Sequence, residues 1–207
     1  NFAQLNTRHS SYSTYGKRFF DLMIAGTLSV FLIPLLILIA SSIRLNSSSS
    51  VLFKQTRHGL GGKTFQIYKF RTMTVSEDGA AFRQAVHNDQ RVTGLGSFLR
   101  RTSLDELPQL INVLNGTMSI IGPRPHPTAL DEAYAPLISN YAHRFAVKPG
   151  ITGLAQVRGH RGPTETVNDM AKRIFCDIEY KNNITFLGDL KILVSTFKVV
   201  VLGNNAI

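Results

Sequence analysis

The sequence predicts a membrane-associated α+β chain, mostly helical with one small β-hairpin. Three observations carry this. Leu22 to Ile43 is a run of 22 residues without a charge, long enough to lie in a bilayer. Val51-Leu52-Phe53 and Thr64 to Thr72 have strand-like composition on either side of a glycine-rich connection. Later stretches repeat apolar residues at helical spacing: Leu107 to Leu114, Val167 to Ile178 and Leu187 to Val201, the last either an amphipathic helix in the membrane interface or one packed on the domain.

Composition agrees. A chain of 207 residues suits one domain plus an appendage and is long enough to bury a core. Hydrophobic residues make up 43% and charged residues 17%, which is low for a soluble domain. The net charge of +10, from 23 Lys and Arg against 13 Asp and Glu, suits an anionic partner. Nucleic acid, a membrane surface and a phosphorylated substrate all qualify; a merely solvated basic surface is the plainer account. Cys176 is the only cysteine, which excludes an intrachain disulfide. It falls in a helical pattern and reads as a packed core thiol.

In chain order, residues 1–16 form a polar tail or linker. Residues 17–46 hold the membrane segment, entered through Lys17 and Arg18. As one straight helix the 22 uncharged residues would reach about 33 Å, against about 30 Å of hydrocarbon. The run is too long for a signal peptide and no cleavage site follows it. Pro34 divides it into 12 and 9 residues, and a central proline breaks or kinks a helix. Each half would reach only about 13–18 Å. Both flanks are basic: Lys17 and Arg18 before, Arg44, Lys54 and Arg57 after. Spanning helices bias basic residues to one side. The expectation is therefore a re-entrant helix–break–helix that dips into one leaflet, with a kinked spanning helix as the alternative.

Residues 47–207 read as the domain that follows the membrane segment. In the second strand Phe65, Ile67, Lys69 and Arg71 share a face, which either turns two cations toward a phosphate or is an exposed basic face. The glycines at 59, 61 and 62 lack P-loop spacing. Ser76 to Arg91 is polar and reads as a mobile helix or loop, with His87 at the surface. Leu130 to Phe145 is helical with Pro136 interrupting it, and Lys148 to Gly153 is a turn.

The chemistry concentrates between Arg100 and Pro125. Asp105-Glu106 follows Arg100 and Arg101, and Arg124 lies between Pro123 and Pro125. Leu107, Leu110, Ile111 and Leu114 form an i, i+3, i+4, i+7 stripe, closed by Asn115-Gly116. Pro108 suits the first helical turn. The acidic pair thus stands at a helix start with arginines nearby, a setting for a metal-bound phosphate ester. The plainer account is a capping box, Ser103-x-x-Glu106.

This stretch resembles the signature of the bacterial sugar transferases, the polyprenyl-phosphate hexose-1-phosphate transferases. Three of its motifs stand here in one block: Ser103-Leu104-Asp105-Glu106, Pro108-Gln109-Leu110 and Gly122-Pro123-Arg124-Pro125. The resemblance runs from Lys17-Arg18 to Asp189-Leu190-Lys191. It implies a monotopic phosphoglycosyl transferase in the bacterial inner membrane, its catalytic domain on the cytoplasmic face. The implied reaction moves a hexose-1-phosphate from a UDP-sugar to undecaprenyl phosphate and releases UMP. Asp105 would be the nucleophile, Glu106 its helper, and both would face Mg²⁺. Arg100 and Arg124, with Lys69, Arg71 and Lys148, would hold phosphates, Pro123 and Pro125 stiffening the turn. Membrane lipids are expected partners, nucleic acid is not, and an oligomer is compatible with the chain. Gly159-His160-Arg161-Gly162, Glu179-Tyr180 and Asp189-Leu190-Lys191 resemble the glucose-1-phosphate branch that serves exopolysaccharide synthesis. Thr185 to Gly188 and the absence of Trp depart from that branch, and Ile33 stands where many relatives carry serine before the proline. Longer members have membrane helices upstream, of which this would be the catalytic portion. The rivals are a metal-dependent phosphatase using the same carboxylates and a membrane-anchored nucleic-acid-binding module.

Overall fold

The computed structural model describes residues 12–46, 49–74, 84–86, 89–162, 164 and 166–201. Helix α1 spans Lys17–Asn46, and 18 of its residues reach a mean hydropathy of 2.7 with 11% of them buried. It is long and apolar enough to cross a membrane. It runs as one helix through Pro34, so the break expected there is not an interruption of helical structure. Proline removes one N–H and crowds the carbonyl four residues earlier. An apolar segment must still satisfy its remaining backbone groups internally, which favours carrying the helix onward. The expected tail is in part structured: Tyr12–Gly16 forms a helical turn, and the Tyr12 ring meets Phe186 edge-on.

Strand β1 (Leu52–His58) pairs antiparallel with β2 (Thr64–Phe70), from Leu52↔Phe70 to His58↔Thr64. The first strand is therefore longer than its apolar start suggests. Ladder pairing carries polar residues as well as apolar ones, and only residues 59–63 form the connection. Helices α2 (Gly94–Thr102) and α3 (Gln109–Leu114) follow. Strand β3 (Ser119–Ile121) pairs in parallel with β4 (Gly150–Thr152). Between them lie α4 (Thr128–Tyr134), an interruption that holds Pro136, and a 3₁₀ stretch, Tyr141–Ala146. Helices α5 (Leu154–Val157), α6 (Val167–Asn182) and α7 (Phe186–Val201) complete the described chain. Thr166 and Asp169 start α6 with a reciprocal capping box. Residues 75–83, 87 and 88, which hold most of the expected mobile segment and the expected surface His87, lie outside the described residues.

One helical stripe, that of α3, turns out differently from its spacing. In α3 the buried residues are Gln109, Leu110, Asn112 and Val113, while Ile111 and Leu114 are exposed. Asn112 explains this. Its Oδ1 accepts from Tyr68 N at 3.0 Å and its Nδ2 donates to Gln66 O at 2.7 Å. The amide thus satisfies the backbone of β2 where no further strand does. In α7, Leu187, Leu190, Val194 and Phe197 point outward, and the helix is held by buried Asp189 and Ile192.

Helix α1 joins two apolar clusters of the one domain. Ala25 packs with Ile67, Leu110 and Met118. Further on, Ile39 and Ile43 pack with Phe70 and Leu99. Polar contacts fix its start: Lys17 Nζ meets Asp189 Oδ2 at 2.7 Å, and Asp21 accepts from Ser119 Oγ and Ile120 N, both at 2.9 Å. Arg18 donates to the carbonyls of Val113 and Leu114 at the C-terminal end of α3, where a cation is favoured. A third cluster, around Tyr141, Met170 and Ile174, supports the far side of the domain. Cys176 is buried, as its helical setting implied.

Candidate active site

Helix α2 begins with a Thr93 cap, whose side chain accepts from Gly96 N at 2.9 Å. A Cβ on Gly96 would lie 2.1 Å from the carbonyl oxygen of Thr72, so only glycine lets α2 approach the end of the hairpin this closely. The helix ends at Ser103, whose φ of 59° is left-handed. One 3₁₀ turn, Leu104–Glu106, follows, then Pro108 leads into α3. This reversal turns both Asp105 and Glu106 inward, each 8% exposed. The capping box is not formed: an N-cap needs extended backbone, and Ser103 is left-handed. Its Oγ accepts instead from Arg161 Nη2 at 2.6 Å.

The two carboxylates are used differently. Glu106 Oε1 takes Lys69 Nζ at 2.7 Å, while Arg124 reaches both Glu106 oxygens in a fork, Nη1 to Oε2 at 3.0 Å and Nη2 to Oε1. Burial alone would push the Glu106 carboxyl up, but the charges and hydrogen bonds of Arg124 and Lys69 hold it well below the ordinary glutamate range. Asp105 accepts no hydrogen bond from the described residues. Burial, reinforced by the Glu106 charge, pushes its carboxyl up to about 6 against the pull of Lys69, Arg100 and Arg124. The site is a buried pair of carboxylates in a cationic shell, one locked and one open.

The family model described as bacterial sugar transferase matches residues 12–203. The chain belongs to that family. It is 50% identical over 190 residues to the UDP-glucose:undecaprenyl-phosphate glucose-1-phosphate transferase of Caulobacter vibrioides, covering 92% of this chain and 71% of that protein. It is 49% identical over 180 residues to the protein of the same name from Escherichia coli K12, covering 87% of this chain but 39% of that longer one. The exopolysaccharide production protein PSS of Rhizobium leguminosarum is 43% identical over 184 residues, with 87% and 92% covered.

In this bacterial sugar transferase most of the cations expected from the sequence converge on the acidic pair. Lys69 and Arg124 touch Glu106. The Arg100 charge acts on Asp105, while its Nε donates to Thr72 Oγ1 at 2.9 Å and its Nη2 lies 3.1 Å from Met73 Sδ. Pro123 and Pro125 flank Arg124 in a turn held through its carbonyls, Gly150 N donating to Pro123 O at 2.9 Å. Two expected cations are elsewhere. Arg71 lies past the end of β2, and its Nε donates to Ser50 O at 2.7 Å. Lys148 has its ammonium beside Gly116 and Arg18, at the other end of α3 from the acidic pair. Arg161 joins the site unforeseen, read from the sequence only as part of a branch motif. The available signal was its place between Gly159 and Gly162, which take φ of +85° and +98° in a tight loop.

Among the described residues no three His, Cys, Asp or Glu side chains gather as a metal cage. The donor set suits a divalent ion held by one carboxylate together with substrate phosphates, the manner in which Mg²⁺ binds phosphoryl substrates. Asp105 is the carboxylate with open lone pairs for it, since both Glu106 oxygens already accept from Lys69 and Arg124.

Proposed function

We propose that this chain transfers glucose-1-phosphate from UDP-glucose to undecaprenyl phosphate, through a covalent intermediate on Asp105, in exopolysaccharide synthesis. The observation that carries this reading is the open, buried Asp105 beside the clamped Glu106. A carboxylate without hydrogen-bond partners keeps its lone pairs for attack, and its raised pKa makes it more basic than a surface aspartate. Asp105 Oδ attacks the phosphorus that bears glucose. The bond from that phosphorus to the bridging oxygen breaks, and UMP leaves with the oxygen. A phosphate oxygen of undecaprenyl phosphate then attacks the same phosphorus and returns Asp105 as carboxylate. Arg100, Arg124 and Arg161 hold non-reacting phosphate oxygens, the planar guanidinium being suited to them. Glu106 keeps Lys69 and Arg124 aimed. Mg²⁺, when bound, neutralises the diphosphate. The names of the Caulobacter and E. coli relatives support the donor and acceptor, and that of the Rhizobium relative supports the destination.

The membrane reading rests on α1 and α7. Both ends of α1 pack on one domain, at Ala25 and at Ile39 and Ile43. A helix so held keeps both ends on the domain's side of the bilayer. Its middle meanwhile offers exposed Val30, Phe31, Ile37 and Leu38 to lipid. This supports a re-entrant course, and the basic residues on both flanks, Lys17, Arg18 and Arg44, favour the cytoplasmic face. The outward apolar face of α7 suits the membrane interface.

Two experiments test these readings. Enzyme, UDP-glucose and Mg²⁺ without acceptor should release about one equivalent of UMP and gain the mass of glucose phosphate. Release of free sugar phosphate instead would favour a phosphatase. For topology, Tyr15→Cys and Leu45→Cys in a Cys176→Ser background should label from the same side of sealed vesicles. Labelling from opposite sides would rule out re-entry.

A further inference from the structure

We infer that Arg144 is a positioning residue for donor binding, a buried guanidinium that sets the aim of Arg124 by holding its backbone. This rests on the reading of Arg124 as a donor-phosphate ligand. Arg144 comes from the Tyr141–Ala146 stretch and is 3% exposed. Its Nη2 donates to Arg124 O. Its other nitrogens are fully engaged: Nε with Asp177 Oδ2 at 3.0 Å, and Nη1 with Asp131 Oδ1 at 3.1 Å and His126 Nδ1 at 2.6 Å. Burial and the Arg144 charge hold His126 down at about 3, so its ring is neutral and Nδ1 accepts.

The direction of the Arg124 side chain depends on the rotation of the two peptide planes that meet at its Cα. The plane before it is held at Pro123 O by Gly150 N, at 2.9 Å. The plane after it is held at Arg124 O by Arg144. The next plane is held at Pro125 O by Arg57 Nη1, at 2.7 Å. Pro125 further narrows the conformations open to Arg124. With both planes fixed, φ and ψ of Arg124 are fixed, and its fork meets Glu106 squarely. Arg144 touches no reacting group; it acts through the backbone it holds. Two carboxylates, Asp131 and Asp177, secure it from other sides, so its grip cannot swivel.

A double-mutant cycle separates this from a merely structural role. Arg144→Lys keeps the charge but lacks the fork that joins Arg124 O to Asp177 and Asp131. The initial slope of UMP release against UDP-glucose gives kcat/KM for the donor. Arg144→Lys should lower it about ten- to a hundredfold, the scale of a misplaced binding group. In the Arg124→Ala background, with no side chain left to aim, the same change should cost less than about twofold. Equal losses in both backgrounds, or an unchanged donor kcat/KM in the single variant, would overturn the inference. An Arg124→Ala variant with wild-type donor kcat/KM would instead overturn the donor-ligand reading of Arg124, and this inference with it. Should Arg144→Lys fail to fold, Arg144→Lys with Asp177→Asn, which removes the carboxylate left short of a partner, takes its place in the same cycle.

Discussion

Two clusters of buried charge meet at Arg124, one on its side chain and one on its carbonyl. Around Arg144, both Asp131 and Asp177 accept hydrogen bonds from the guanidinium, and Asp131 also accepts from Tyr141 at 2.7 Å and contacts His58 at 2.9 Å. Around the acidic pair, Lys69 and Arg124 both bond to Glu106, and none of the described residues hydrogen-bonds to Asp105. The difference is not one of pKa alone. Burial pushes Asp177 to about 6, as it does Asp105. Asp177 nevertheless has Arg144 on its oxygens, so it is structural. What marks Asp105 is the combination of burial with an unclaimed carboxylate. A buried charge left without a hydrogen bond opposes folding, and it is the arrangement a nucleophile requires.

The comparison is sharpest at Asp105 itself. Asp105→Asn should lower kcat by about 10⁴-fold or more, the scale seen when a nucleophile is removed, and should abolish the UMP burst. It should also stabilise the fold at pH 8. The folded pKa of about 6 lies above the ordinary 3.8, so ionisation of this group opposes folding above about pH 6 and has no effect below about pH 4. The stabilisation is on the order of 2 kcal/mol at pH 8 and should vanish by pH 4. Urea unfolding at the two pH values measures it. A loss of stability at pH 8 would mean that Asp105 is paired after all.

The satisfied cluster should respond in the opposite sense. Asp131→Asn leaves the Arg144 charge short of a partner and should cost about 3–5 kcal/mol in urea unfolding. A neutral result would remove the contrast between the clusters. Glu106→Gln should come next in size. It loosens Lys69 and Arg124 together, so donor kcat/KM should fall about a hundredfold, the scale of one lost electrostatic partner in a preorganised site. A slow UMP burst should survive, because Asp105 is still present. Complete loss of the burst would assign Glu106 a part in the first chemical step. The smallest effect is that of pH on the wild type. Donor kcat/KM should fall about tenfold per unit below pH 6, where Asp105 takes up a proton, and level off above it. An acid limb near pH 4 would mean that Asp105 titrates as an ordinary surface carboxylate.

Much of this architecture is legible in the amino-acid sequence. The uncharged segment marks α1 from Lys17 to Asn46, and the run from Ser103 to Pro125 marks the site. Both signals are local: a bilayer needs a long apolar stretch, and a helix stop needs Asn115-Gly116, whose glycine takes φ of +81°. The motif resemblance places Asp105, Glu106, Lys69, Arg100 and Arg124 together, and they are together. It also assigns Arg71 and Lys148 to the substrate, and in the fold these two adjoin Ser50 and Gly116 instead of the acidic pair. The stripe of α3 misleads in a similar way, since 3.6-residue spacing shows that a face is apolar but not what covers it; the stripe of α7 left both coverings open, and its apolar face is exposed.

Neighbouring residues along the chain are enough to specify the long apolar helix, the hairpin, the rigid proline-flanked arginine and the acidic pair, because each rests on local chemistry. Which carboxylate stays open is a property of the folded chain. Asp105 and Glu106 are adjacent and share the same local charges. They part because Lys69, from a strand 36 residues before Asp105, and Arg124, from a turn 19 residues after it, both reach past one carboxylate to the other. Folding likewise brings Arg161 into the site and sets Arg144 behind the turn that it grips. Such pairings depend on how distant backbone segments pack, and no spacing along the chain carries that information.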